Sequence, residues 1–283
     1  MEDNNKELFA TDIFESIIRP KSSSTYKITE LRLPTNQDMY FISKWHEIFE
    51  RYCSARIFIR EALKDSWDDW GHWFNLSHDE TTDSPVKLIL IGNVYETALI
   101  NYNILVDLSW TITYVSCEYA LYKFDSEGNI TNLEDCNICG MMPIEKAAET
   151  LRKTENQVST PTAEHTPFEY LKKQCPKFKN AIDLIIDFWN NFSNSEIRNN
   201  YNYIKHKGKP VYKELIDLDP SRFFDIKIGK DHYPSDIKDI QKVLNLYDSI
   251  QELIDFDDKQ LFPYYSKLIT ELITAVNPSP MVL

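Results

Sequence analysis

The sequence predicts an all-α fold: a single-domain helical bundle with two long helices and room for one small β-hairpin insertion. Three observations carry that reading. Apolar residues recur at steps of three, four and seven over stretches far longer than a strand. Strand-like alternation is confined to residues 223–228 and to the flanks of Gly128. Glycine occurs only 6 times in 283 residues, too sparsely to build a Walker loop or a dinucleotide-binding turn. Hydrophobic residues make up 42 %, enough for a sizeable core, and no internal repeat is visible.

The elements follow in order. Residues 1–33 lack a sustained period and read as an arm laid over the domain 34–283, with one short helix at 12–18. From Asn36 the pattern turns helical: Phe41, Trp45, Ile48, Phe49, Tyr52, Ile59 and Leu63 share one face. Trp67, Trp70 and Phe74 extend a similar stripe. Their neighbours Asp65, Asp68 and Asp69 favour a core-capping cluster over a base-stacking platform, which wants basic residues beside it. Pro85 suits a helix start, and Ile91, Tyr95, Ala98, Tyr102, Leu105, Leu108, Ile112, Val115 and Tyr119 continue to about Tyr122, a span of up to ~55 Å.

Residues 125–129 read as a turn at the tip of a hairpin, and Pro143 opens a short charged helix over 144–154. A polar connector at 160–167 leads into a helix over 168–192, kinked at Pro176. Ser193 or Asn194 caps the next helix, which runs to Lys207 and stops at Gly208 and Pro210. Ser235 or Asp236 then caps a last long helix. Its stripe is Ile240, Val243, Leu244, Tyr247, Ile250 and Ile254, continuing past Pro263 through Leu268, Leu272 and Ile273.

Charge narrows the function classes. There are 31 basic against 44 acidic residues, a net of −13, so the mean field repels a polyphosphate and argues against a general nucleic-acid binder. The apolar window 86–121 is broken by Asn93, Glu96, Asn101, Asn103 and Asp107, which points to a buried helix and no membrane partner. The first ten residues show no basic run leading into an apolar one, so no secretory signal is expected and the expected location is cytoplasmic. Five cysteines do not make a disulfide framework. Cys136 and Cys139 form one C-x-x-C, for which only Cys117, His165 and Cys175 stand as further ligand types. No metal and no cofactor is expected.

One segment stands against the acidic background. Between Arg198 and Lys213 lie Arg198, Lys205, Lys207, Lys209 and Lys213 with no acid, a local +5 that leaves −18 on the rest. On a helical wheel Ile197, Tyr201 and Ile204 form the core stripe. Arg198, Asn202 and His206 stand at successive steps of four on a ridge away from it, flanked by Asn199.

These residues resemble the HEPN superfamily motif, R-x(4–6)-H with a polar residue after the arginine, set near a helix end in an all-α domain. Arg198, Asn199 and His206 match its residue types, and seven residues separate Arg198 from His206, one more than the usual spacing. The resemblance implies a metal-independent ribonuclease, often a toxin or antiphage effector, acting as a homodimer whose two motifs form one site. It implies His206 as acid or base on the ribose 2′-hydroxyl and leaving oxygen, Arg198 on the scissile phosphate, and Asn199 and Asn202 in support. Lys205, Lys207 and Lys209 would draw RNA into the repelling field. The alternative is a non-catalytic HEPN-like module that binds a partner protein, such as an antitoxin, or a nucleotide through the same patch.

Overall fold

The computed structural model describes residues 8–21, 33–34, 36–64, 80–117, 123–124, 130–132, 172, 175–218, 226–228, 231–233 and 241–280. The fold is all-α. Helix α1 spans Asn36–Ala62 and α2 spans Glu80–Ser116; they are joined in the fold by α3 (Lys179–Phe192), α4 (Glu196–His206), α5 (Lys213–Leu218), α6 (Leu246–Phe256) and α7 (Phe262–Val276). Strands are two or three residues long: β1 (Lys123–Phe124), β2 (Ile130–Asn132), β3 (Val211–Tyr212), β4 (Ile226–Ile228), β5 (Asp231–Tyr233) and β6 (Val243–Leu244). The expected hairpin around Gly128 is formed, with Lys123 opposite Asn132 and Phe124 opposite Ile130. The cluster of Trp67, Trp70 and Phe74, the helix expected at 144–154, the connector at 160–167, Cys136, Cys139 and His165 lie outside the described residues.

The contacts divide the chain into two compact units, and both long helices belong to each. One unit takes in the described residues of Phe9–Cys53, Asn103–Asn194 and Asp258–Leu283. Its core is aromatic. Trp45 is fully buried and its indole N–H donates to the Ile18 carbonyl at 2.7 Å. Phe188 stacks on Tyr264 with centroids 3.9 Å apart, and Trp110 meets Trp189 edge to face at 6.1 Å. The Tyr264 hydroxyl donates to Ser109 Oγ at 2.7 Å, which keeps a buried phenol satisfied while burial raises its pKa. The N-terminal segment is anchored here: the Ala10 N–H and the Thr11 hydroxyl both donate to the Asp258 carboxylate, at 3.0 and 3.1 Å.

The helix expected at 12–18 is not formed; the segment is a run of bends and turns. Its polar side chains take the backbone bonds a helix would need. Asp12 accepts from the Phe14 N–H at 2.8 Å and Ser16 Oγ from the Ile18 N–H at 3.2 Å. Phe9, Ile13 and Ile18 are nonetheless buried, so the arm contributes to the core without being helical.

The other unit takes in the described residues of Met1–Leu8, Ser54–Tyr102 and Ser195–Asp257. Here Arg56 and Asp257 form a buried ion pair, Nε to Oδ2 at 2.8 Å and Nη2 to Oδ1 at 3.0 Å, and the Tyr102 hydroxyl donates to the same carboxylate at 2.7 Å. Tyr212 in β3 packs edge to face on Tyr95 and donates its hydroxyl to Glu96 at 2.7 Å. It lies directly over Gly92: a Cβ there would come 2.3 Å from Tyr212 Cε2, so only glycine admits the ring.

Periodicity located the helices well and their ends less well. Phe41, Trp45, Ile48, Tyr52 and Ile59 are fully buried, as their spacing predicts, whereas Leu63 is 39 % exposed beyond the end of α1. Helix α2 begins at Glu80 and holds Pro85 in its second turn, where the ring removes one backbone bond and crowds the carbonyl four residues before it. It ends at Ser116 rather than near Tyr122. By length and composition, Pro85–Tyr114 would suffice to cross a membrane, but 56 % of its most apolar window is buried inside the protein. Its hydroxyls turn inward to its own backbone: Thr113 donates to the Ser109 carbonyl at 2.8 Å and Ser116 to that of Ile112 at 2.6 Å.

At the kink expected at Pro176 the chain makes a 3-10 turn over Pro176–Phe178 and then enters α3; residues 168–171 of the expected helix lie outside the described residues. The strand expected at 223–228 appears as β4, paired with β5, which no alternation announced. Helix α6 starts at Leu246; the caps expected at Ser235 or Asp236 lie outside the described residues. Val243 and Leu244 form β6, parallel to β3. Asn245 caps the helix by accepting from the Asp248 N–H at 3.2 Å, and the Glu214 carboxylate accepts from the Leu246 N–H at 2.9 Å.

Candidate functional site

Helix α4 carries the basic island. Its cap is Ser195, one residue after the expected pair, with Oγ accepting from the Arg198 N–H at 3.2 Å and Glu196 in the first turn. Its end is set by Gly208, whose φ of +112° is the left-handed region that side chains avoid. The N–H groups of Lys207 and Gly208 both donate to the Tyr203 carbonyl, at 2.8 and 3.2 Å. His206 is therefore the last helical residue, exposed, with exposed Lys205 and Lys207 on either side.

The core-facing side differs from the wheel reading. Ile197 and Asn200 are buried, while Tyr201 and Ile204 are half-buried. The displacement has a polar cause. Burial pushes the Tyr95 phenol up to about 12, against hydrogen bonds from Ser249 and Asn200 that pull it down. Asn200 is thus drawn inward to serve Tyr95, although its Oδ1 has no hydrogen-bond partner among the described residues. Tyr203 is held too, its hydroxyl accepting from the Lys242 N–H at 3.0 Å. Sequence reasoning missed Asn200 because one amide directly beside another, Asn199, carries no periodic signal.

The candidate residues occupy the outer side. Asn199 is exposed, and Arg198 and Asn202 are half-buried. The Arg198 guanidinium carbon lies 5.0 Å from the Tyr201 ring centroid, and Lys205 Nζ lies 5.7 Å from the same centroid. Lys209 points elsewhere: its ammonium donates to Asn93 Oδ1 and lies 3.7 Å from Glu96 Oε1, which ties the turn after α4 to α2. Arg198 and His206 are eight helical steps apart, ~12 Å along the axis with a turn of about 80°.

Electrostatics divide the helix. At its N-terminal end Glu196 sits 3.4 Å from Lys242 Nζ. Burial raises the Glu252 carboxyl pKa, with Glu196 and Asp248 adding to the rise and Lys242 opposing it. From Tyr201 to Lys207 the charged side chains are Lys205 and Lys207, with no acid. An anion is repelled at one end of α4 and attracted at the other. Among the described residues no group of three or more His, Cys, Asp or Glu is placed to hold a metal ion. Cys117 and Cys175 are buried, and Cys175 Sγ donates to the Cys117 carbonyl at 3.3 Å. No family model, curated protein or solved structure matches the chain.

Proposed function

We propose that this chain is a HEPN-like ribonuclease of the toxin or antiphage-defence type, metal-independent, cytoplasmic and active as a homodimer on RNA. One observation carries the reading. Arg198, Asn199, Asn202 and His206 lie off the buried side of a helix that Ser195 caps and Gly208 ends, in an all-α fold. His206 takes the proton of the ribose 2′-hydroxyl or returns one to the leaving oxygen. Arg198 holds the phosphate and stabilises the charge that builds on it. Eight helical steps are a long reach for one phosphate, so His206 of the partner subunit completes the pair in an isologous dimer.

Digestion of generic RNA in chelator tests this. The full chain cleaves, and His206→Ala lowers the rate on the order of 100-fold or more with its melting temperature unchanged. Sedimentation gives the mass of two chains. A second reading has its own support: the long spacing, together with the Arg198 stack on Tyr201, suits a module that binds an antitoxin-like protein or a nucleotide without cleaving. A folded protein that leaves RNA intact decides for that second reading.

A further inference from the structure

His206 is the last residue of α4, and exposed helix ends fray at little cost, so its place depends on the chain just beyond. That chain is tied to one face of α2. Gly92 and Glu96 stand there at i and i+4, with Asn93 beside them. After Gly208 turns the backbone, the Lys209 ammonium donates to Asn93 Oδ1 and lies 3.7 Å from Glu96 Oε1. Pro210 is buried, and the Val211 N–H donates to the Lys242 carbonyl at 2.9 Å. The Tyr212 hydroxyl then donates to Glu96 Oε1 at 2.7 Å, with the Gly92 carbonyl 3.3 Å away. Burial first and the Glu96 charge second hold the Tyr212 phenol well above its ordinary range, so it keeps its proton and donates.

We propose that Glu96 is a positioning residue for His206: through Lys209 and Tyr212 it latches the chain after α4 to α2, and so holds the last turn of α4 in place. The consequence for cleavage rests on the ribonuclease reading; the latch itself does not. The Glu96 side chain is only 16 % exposed. A carboxylate largely out of water is held by charge-assisted hydrogen bonds and opposite charge, which Tyr212 and Lys209 supply. The Tyr212 ring fits against α2 only because Gly92 has no side chain, since a Cβ there would come 2.3 Å from Tyr212 Cε2. From Lys209 back to His206 is three residues, at most ~11 Å of chain, so a fixed Lys209 confines the backbone that carries the imidazole. Lys209 thereby acts on α2 rather than on a substrate.

The test follows amide hydrogen exchange of the full chain by mass spectrometry, with kcat and KM on generic RNA in chelator read on the same variants. Glu96→Ala raises exchange in the peptide covering 203–212 about ten-fold or more, the worth of the charged hydrogen bond it removes, and by more than in the peptides of α1. Lys209→Met raises it about two- to five-fold, as loss of an exposed ion pair does, and Tyr212→Phe raises it further. Adding Glu96→Ala to those two changes has no added effect, because both arms are already gone. Glu96→Gln keeps an acceptor for Tyr212 and loses the charge facing Lys209. It falls between parent and Glu96→Ala, and serves in place of the alanine variant if that one does not fold. In the ribonuclease, Glu96→Ala lowers kcat about ten-fold or more with KM within about two-fold, since only the acid–base group is misplaced. Unchanged exchange at 203–212 overturns the latch. A rise of equal size throughout the chain, or faster local exchange with kcat intact, overturns the positioning role. Faster local exchange in a protein whose parent leaves RNA uncut keeps the latch and sinks the ribonuclease reading.

Discussion

Two arginines in the same unit are held in opposite ways. Arg56 in α1 is buried and meets Asp257 through two hydrogen bonds of 2.8 and 3.0 Å, with Tyr102 completing the carboxylate's shell. Arg198 in α4 is half-buried and rests on the face of an aromatic ring. The first is a charge taken out of water, which is tolerable only beside an opposite charge with its remaining lone pairs satisfied. The second leans over a ring, whose negative face orients a cation. Burial decides which kind of partner an arginine needs, and the partner decides whether it can still act on a third group.

Breaking the first arrangement has the largest expected effect. Asp257→Ala leaves a buried guanidinium uncompensated, and removing one partner of such a pair costs about 3–5 kcal/mol. Urea unfolding is expected to show a midpoint shift of that size, and a shift below about 1 kcal/mol would mean that water reaches Arg56. A middle effect is expected from Ser195→Ala, which frees the N–H of Arg198 at the start of α4 and costs about 1 kcal/mol. The smallest belongs to Arg198→Gln. It removes a partly solvated charge and is expected to change stability by no more than about 0.5 kcal/mol while altering anion binding. Should Arg198→Gln unfold the protein as Asp257→Ala does, the contrast between the two arginines collapses.

The contrast was half legible in the sequence. Arg198 announced itself, because the island around it is local and stands out against an acidic chain. Arg56 did not: its partner is 201 residues away, and no spacing rule reaches that far. The same division runs through the fold. The stripe of Phe41, Trp45, Ile48 and Tyr52 was readable because helical contacts repeat every three or four residues. Val243 and Leu244 fitted a helical stripe equally well, yet pairing with Val211 and Tyr212 and the Glu214 contact at Leu246 made them a strand. Asn200 was passed over for Tyr201 because its inward turn depends on Tyr95 in another helix. The periodic stripe of α1 was legible; what depended on distant partners was not.

The boundary between the two compact units crosses α1 after Cys53 and α2 after Tyr102, within continuous helices rather than within linkers. A cut at either place severs the run of i to i−4 hydrogen bonds and leaves up to four C=O groups bare on the N-terminal side and up to four N–H groups bare on the C-terminal side. Neither unit can therefore be excised, expressed alone or traded into another protein as a cassette. A lineage carrying this chain has to modify it by substitution in place or by growth in its loops, and a chimera designed from it must take both long helices whole.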